Sequence, residues 1–278
     1  MDYRFLRFPG FKQKALTLSY DDGVKYDAQL IEIMKKHGLK GTFNINSGLF
    51  SPEDGGWRMS KKEAYDLYAN SGMEVAVHGV QHYSLATVSP IAAVKDVADD
   101  RVNLEEMFSR VITGMAYANG SYSDEVVEIL KNCGITYART VVSTEKFDIP
   151  TDWLRLPATC HHNNPKLMEL AKRFVEAKEG GYYWGAANYP KLFYLWGHSF
   201  EFNNNDNWNI IEEFAEYIGG KEDIWYATNG EIYTYVKAFD SLVFSANGKR
   251  IYNPTATDVY MEYFGKKFVV PAGQTVEV

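Results

Sequence analysis

From residue 15 to residue 239 the chain alternates between short apolar runs and longer stretches of helical spacing. No other feature limits the fold so tightly. Residues 15–20, 41–46, 74–77, 114–117, 135–139, 193–196 and 225–228 read as buried strands, with a shorter one at 154–156. Helices are predicted between them. The first covers residues 24–37, with Ile31, Ile33 and Met34 apolar and Gly38 as its stop. The next follows a Ser60/Glu63 capping box and runs to about Gly72, and a third opens at Pro90 behind the Ser89 cap and runs to about Phe108. Others cover 123–132 (closed by Gly134), 165–178, 208–218 and 232–239. Such alternation gives parallel strands joined by crossover helices, closed or nearly closed into a barrel, with a doubly wound open sheet as the fallback. A chain of 278 residues, 46% of them hydrophobic, is the right size for one such α/β barrel.

After Ser241 the texture changes. Residues 242–245, 251–253, 259–264 and 268–270 read as short strands split by Asn247-Gly248, Gly265 and Pro271-Ala272-Gly273. We therefore expect a barrel over 1–240 and a small β appendage over 241–278 packed on it.

A net charge of −7 and the lack of any basic run argue against a nucleic-acid or anionic-membrane partner. Cys133 and Cys160 are too few for a disulfide framework and suit a reducing compartment. Near the start, Phe5, Leu6 and Phe8 are interrupted by Arg7 and Pro9, so no signal core is expected, nor any transmembrane span. The expected address is the cytoplasm. The sequence leaves the oligomeric state open.

Three clusters at strand ends carry chemistry. Ser19-Tyr20-Asp21-Asp22-Gly23 closes the first strand. Adjacent residues there point apart, so one carboxylate can bind a metal while the other faces substrate; a helix N-cap is the plainer alternative. His78-Gly79-Val80-Gln81-His82 closes the third predicted strand. Two imidazoles and a carboxylate make the three-protein-ligand set of a catalytic metal with open positions. Trp196-Gly197-His198 closes a late strand, and a rim histidine suits proton delivery. Glu201 could orient it or be a solvated charge. His161-His162 reads as structural or exposed, with pocket lining as the alternative. Residues 180–185, Gly-Gly-Tyr-Tyr-Trp-Gly, are a sugar-stacking lip or a packing loop.

In this order and on strand ends, the three clusters resemble the polysaccharide deacetylase family, carbohydrate esterase family four, over roughly residues 14 to 240. The resemblance implies a distorted (β/α) barrel of about seven parallel strands and one divalent metal, most often Zn2+, with Co2+, Ni2+ or Mn2+ as alternatives. It implies Asp21 as base, Asp22, His78 and His82 as metal ligands and His198 as acid. The substrate class would be an acetylated oligo- or polysaccharide, N- or O-linked. A metal hydrolase of small amides or cyclic imides, and a catalytically silent carbohydrate binder, are the rival readings.

Two family motifs are incomplete. The turn Ala116-Tyr117-Ala118-Asn119-Gly120-Ser121-Tyr122 lacks the family's Arg. The Asn119 N–H would be the oxyanion donor, and Arg139 could supply a charge near Asp21. Tyr117 and Trp196 are counted with them as substrate-binding candidates. The Asp and Trp that brace the acid histidine have no clean match, since Asp152-Trp153 agrees in letters only.

Overall fold

The computed structural model describes residues 2–178 and 189–278. The sugar-lip expectation at 180–185 lies outside them. Its centre is a set of parallel strands: β1 (Lys14–Asp21), β2 (Gly41–Ile45), β3 (Glu74–Val77), β4 (Gly114–Ala116), β5 (Tyr137–Ser143), β6 (Leu156–Ala158 and Cys160–His161, parted only at Thr159) and β7 (Lys191–Gly197). Each pairs with the next from β1 to β6, and β7 pairs with β1 over Lys14 to Tyr20.

β6 closes the circuit. On one flank Thr144 and Glu145 of the β5 side donate to the carbonyls of Ala158 and Thr159. On the other, Thr159 donates to the Tyr194 carbonyl at 2.8 Å and Cys160 sits in register with Leu195. The result is the α/β barrel that the resemblance implies. An eighth parallel strand, β8 (Ile224–Tyr226), pairs with Lys14 to Leu16, below the stretch of β1 that β2 occupies.

The helices α1 (Asp27–Lys36), α2 (Lys61–Tyr68), α3 (Pro90–Phe108), α4 (Asp124–Asn132), α5 (Leu167–Val175), α6 (Ser199–Asn204), α7 (Asn209–Ile218) and α8 (Asn229–Asp240) follow the strands. The Ser60/Glu63 capping box forms as expected, and Ser89 caps α3 in front of Pro90. Fully buried Leu16, Leu18, Phe43, Phe193 and Leu195 join strands to helices, and each contributes roughly 1.5–3 kcal/mol by burial. The strand expected at 154–156 begins only at Leu156, because the Asp152 side chain caps Leu154 N and turns Trp153–Arg155 into a 3-10 coil. Helix α6 was not expected; its six residues are too few to show a period.

Beyond α8 the short strands fall into two antiparallel sheets. Val259–Tyr263 and Lys266–Val270 pair as a hairpin, and Leu6–Arg7 adds to its other edge. Val243–Phe244, Arg250–Tyr252 and Thr275–Glu277 form the second. Tyr235 of α8 fastens this layer: its hydroxyl donates to Arg7 O and accepts from Tyr260 N at 2.9 Å. A cavity of about 820 Å³ opens between this layer and the N-terminal ends of the strands. Glu74 lines it, but that carboxylate is taken by Thr42 Oγ1, Tyr137 OH and Gly230 N.

Among the described residues, no helix is long and apolar enough to cross a membrane.

Candidate active site

The chemistry-bearing residues gather at the other end, at the C-terminal ends of the strands. Asp21 is the last residue of β1 and is 2% exposed. Asp22 follows with φ +85°, a left-handed conformation that Asp tolerates better than most residues. Gly23 has φ +65°, and a Cβ there would stand 2.9 Å from the Ile45 side chain, so this turn needs glycine. The two carboxylates do not simply point apart as the sequence reading expects: the turn brings Asp21 Oδ2 to 3.8 Å and Asp22 Oδ1 to 3.9 Å from the same His78 Nε2.

His78 follows β3 and is 1% exposed. Its Nδ1 lies 2.8 Å from the Ala116 carbonyl, which fixes the Nδ1–H tautomer and leaves Nε2 bare. That Nε2 is buried without a hydrogen-bond partner, and so is Asp22 Oδ1, 3.9 Å away. His82 brings its Nε2 to 3.6 Å from the same oxygen, at φ +57°. One ligand atom from each of the three side chains lies within 4.8 Å of the others. The structure thus brings together Asp22, His78 and His82.

The loop between the histidines is held from behind by α3. Asp100 accepts from Ser47 N, His78 N and Gly79 N at 2.7–2.9 Å, and Asp96 accepts from Gln81 N at 2.7 Å. Gly79 has φ +84°, and a Cβ there would fall 2.2 Å from Asp96 Oδ2. Sequence reasoning missed both acids. Their signal was present: carboxylates four apart on the helix face that buries Ala93, Val97 and Leu104. Arg58 was missed too; it donates to the Asp22 carbonyl at 2.6 Å and to Asn46 Oδ1 at 3.3 Å. Nothing near it in sequence marks that role.

Asp21 is bound by Arg139, whose guanidinium from β5 makes a buried ion pair with it. The turn 116–122 lacks an arginine, and the adjacent strand supplies one. Asn44 Nδ2 donates to Asp21 Oδ1 at 2.9 Å. Burial pushes the Asp21 carboxyl up, but Arg139, His78 and His198 together outweigh it and hold it at about 2. Arg139 also lies over the Trp196 ring, 4.4 Å from its centroid.

His198 caps the start of α6 and turns Nε2 toward Asp21 Oδ2, 3.9 Å away. Its Nδ1 is 3.3 Å from Glu201 Oε1. Burial lowers its pKa, but the Glu201, Asp21 and Asp22 carboxylates prevail and raise it. His161 and His162 reach the other oxygen of Glu201, at 3.2 and 2.8 Å. His162 is fully buried between Tyr20 and Phe202, in keeping with the structural reading of that pair, while the His161 ring lies 6.2 Å from that of His198.

Asn119 sits on the turn after β4 at φ +56°, with its side chain donating to Ser84 Oγ. The Tyr117 hydroxyl donates to the Leu154 carbonyl, and its ring is buried. Asp152 and Trp153 stay away from His198: Asp152 pairs with Arg155 and Trp153 packs on Tyr233.

Residues 9–138 match the family model described as polysaccharide deacetylase. YxkH of Bacillus subtilis (strain 168), whose name assigns it to the polysaccharide deacetylases, is 24% identical over 124 residues, 44% of this chain and 43% of that protein. The chain therefore matches less than half the length of that relative. A Mycobacterium smegmatis structure, named for the same class, superposes with a TM-score of 0.59 at 15% identity, covering 85% of this chain and 94% of that one. The family 4 carbohydrate esterase of Streptomyces lividans, solved with acetate, gives 0.51 at 12% identity over 78% and 93%. A mutant of a CE4 family pseudoenzyme gives 0.50 at 17% identity over 79% and 67%, so this fold occurs with and without activity. These structural likenesses establish the barrel. The family model matched over 9–138, just under half of the chain, and the shared barrel make the chain similar to the polysaccharide deacetylases over that stretch.

Proposed function

We propose that this protein is a metal-dependent hydrolase that removes acetyl groups, N- or O-linked, from a carbohydrate. One observation carries the reading: Asp22 Oδ1 and His78 Nε2 are buried without hydrogen-bond partners and lie with a His82 ring nitrogen within 4.8 Å of one another, with Arg58 3.5 Å from that Asp22 oxygen and Asp21 beside His78. Leaving such groups unsatisfied costs about 1–3 kcal/mol each, and a divalent cation would satisfy both. Two imidazoles and a carboxylate suit Zn2+ well, and Co2+, Ni2+ or Mn2+ acceptably.

When bound, such an ion supplies Lewis acidity, lowering the pKa of water toward neutrality and polarising the acetyl oxygen. The chain does the rest. Asp21, ionised at neutral pH by its ion pair with Arg139, accepts the proton of the attacking water. The Asn119 backbone N–H serves as oxyanion donor. His198, raised toward its charged form, protonates the departing nitrogen or oxygen. Trp196 and Arg139 form the wall behind Asp21, and Tyr117 supports the turn that carries Asn119. The thiols of Cys133 and Cys160 are free, which supports a cytoplasmic address and hence oligosaccharide fragments as substrates.

The test couples metal analysis to acetate release from acetylated oligosaccharides, with small cyclic amides as the second panel. Asp21→Asn should keep the metal and lose nearly all turnover. An Asp21→Asn enzyme of normal activity would refute the assigned base; sugar binding without acetate release at any metal loading would favour the silent binder.

A further inference from the structure

Glu201 touches three imidazoles. Oε2 lies 3.2 Å from His161 Nε2 and 2.8 Å from His162 Nε2, and Oε1 lies 3.3 Å from His198 Nδ1. These ligand atoms of His161, His162 and Glu201 are also close enough together to hold a second metal ion. The tautomer of His161 argues against that use. Its Nδ1 accepts the Asn163 N–H at 3.1 Å, so in the neutral ring the proton is on Nε2, facing Glu201. A metal at Nε2 would need that atom bare and would put two N–H groups face to face at Nδ1.

The surroundings favour an anchor. His162 is fully buried, stacked between Tyr20 and Phe202 with ring centroids at 5.8 and 4.1 Å. A Cβ on Gly197 would fall 2.1 Å from its Nδ1, so the barrel strand leaves room for this ring and no more. Asn163 Nδ2 adds a donor to Oε2 at 3.3 Å. One oxygen of Glu201 is thus held from β6 and the residues after it, and the other is left for the rim histidine. The contacts from His162 and His198 are near but off-axis, so neither is yet a full hydrogen bond. Such contacts often tighten only when substrate binds.

We propose that Glu201, seated on His161 and His162, is the positioning residue for His198: it accepts a hydrogen bond from Nδ1–H and so aims Nε2 at the space in front of Asp21. This rests on the deacetylase reading. It assigns to a glutamate three residues on, and to a histidine pair from the neighbouring strand, the bracing that the incomplete fourth motif leaves undone.

The experiment compares wild type, Glu201→Gln and Glu201→Asp in the full chain by three readouts. Nitrogen-15 NMR of the imidazoles reports the His198 tautomer. Acetate release from an N-acetylated sugar and from an aryl acetate separates leaving groups that need a proton from those that do not. Metal analysis counts ions per chain. We expect Nδ1–H at His198 in wild type and a mixed tautomer in Glu201→Gln. That variant should lose roughly 100-fold in kcat on the amide with little change in KM, lose much less on the aryl ester, and keep its metal. Glu201→Asp should recover part of the loss. An unchanged His198 tautomer in Glu201→Gln would overturn the proposal, and so would a second ion per chain that leaves with Glu201. Wild type that releases no acetate yet shows the Glu201-dependent tautomer would sink the deacetylase reading and leave the positioning role standing.

Discussion

Replacing Arg139 by Met tests the central electrostatic claim. Arg139 is 0% exposed and Asp21 2%, so solvent screens their ion pair very little. Removing the guanidinium strands a buried carboxylate, and breaking a buried pair on one side costs about 3–5 kcal/mol. The loss of the cation over the Trp196 ring adds up to about 2 kcal/mol. Asp21→Asn alone leaves Arg139 unpaired in turn, with a penalty of the same order. The double variant Asp21→Asn/Arg139→Met removes both charges, and its cost should fall well below the sum of the singles. A coupling energy of at least about 2 kcal/mol is expected for such a contact. Urea unfolding followed by circular dichroism gives the four stabilities. At this size each kcal/mol moves the midpoint temperature by roughly 2 °C, so Arg139→Met should also melt on the order of 6–14 °C early. Additive single and double variants would show that Arg139 and Asp21 do not depend on each other, and the account of the ionised base would fail.

Other outcomes follow from the same physics. Asp27, buried against the hydroxyls of Ser199 and Tyr68, is pushed by burial from 3.8 up to about 7. Its raised folded-state pKa means that stability present below about pH 4 is lost as pH climbs through 7, at a slope of roughly 1.4 kcal/mol per pH unit between those limits. Asp27→Asn should flatten the stability profile between pH 4 and 7 relative to wild type; parallel profiles would remove Asp27 from the account. Gly79→Ala should cost at least about 1–3 kcal/mol, since φ is +84° and the new Cβ meets Asp96 Oδ2. It should weaken metal retention as well, and calorimetric titration with Zn2+ matching wild type would contradict the role given to the α3 acids.

Much of this was legible in the sequence. The strand runs at 15–20, 41–46, 74–77 and 193–196 are apolar because both faces of a barrel strand are buried. The same runs put Asp21, His78 and His198 at one end. What escaped was of two kinds. Helix α6 and the split strand β6 are too short to show a period, and β6 is interrupted at Thr159. The supporting polar residues Arg58, Asp96 and Asp100 act from elements apart in sequence from the ligands, and only the barrel's curvature brings them behind the ligands. Arg139 stood between these cases. The sequence reading set its charge near Asp21, and the direct ion pair with that residue, 118 positions upstream, is made by the closure of the ring.

Leu6–Arg7 completes its sheet with Met261 and Tyr260, and Arg7 reaches Glu262 across 255 residues. On the ribosome, at ~5–20 residues per second, that early strand waits roughly 10–50 s for its mate. That edge of the sheet therefore cannot form until Tyr260 and Met261 have been made.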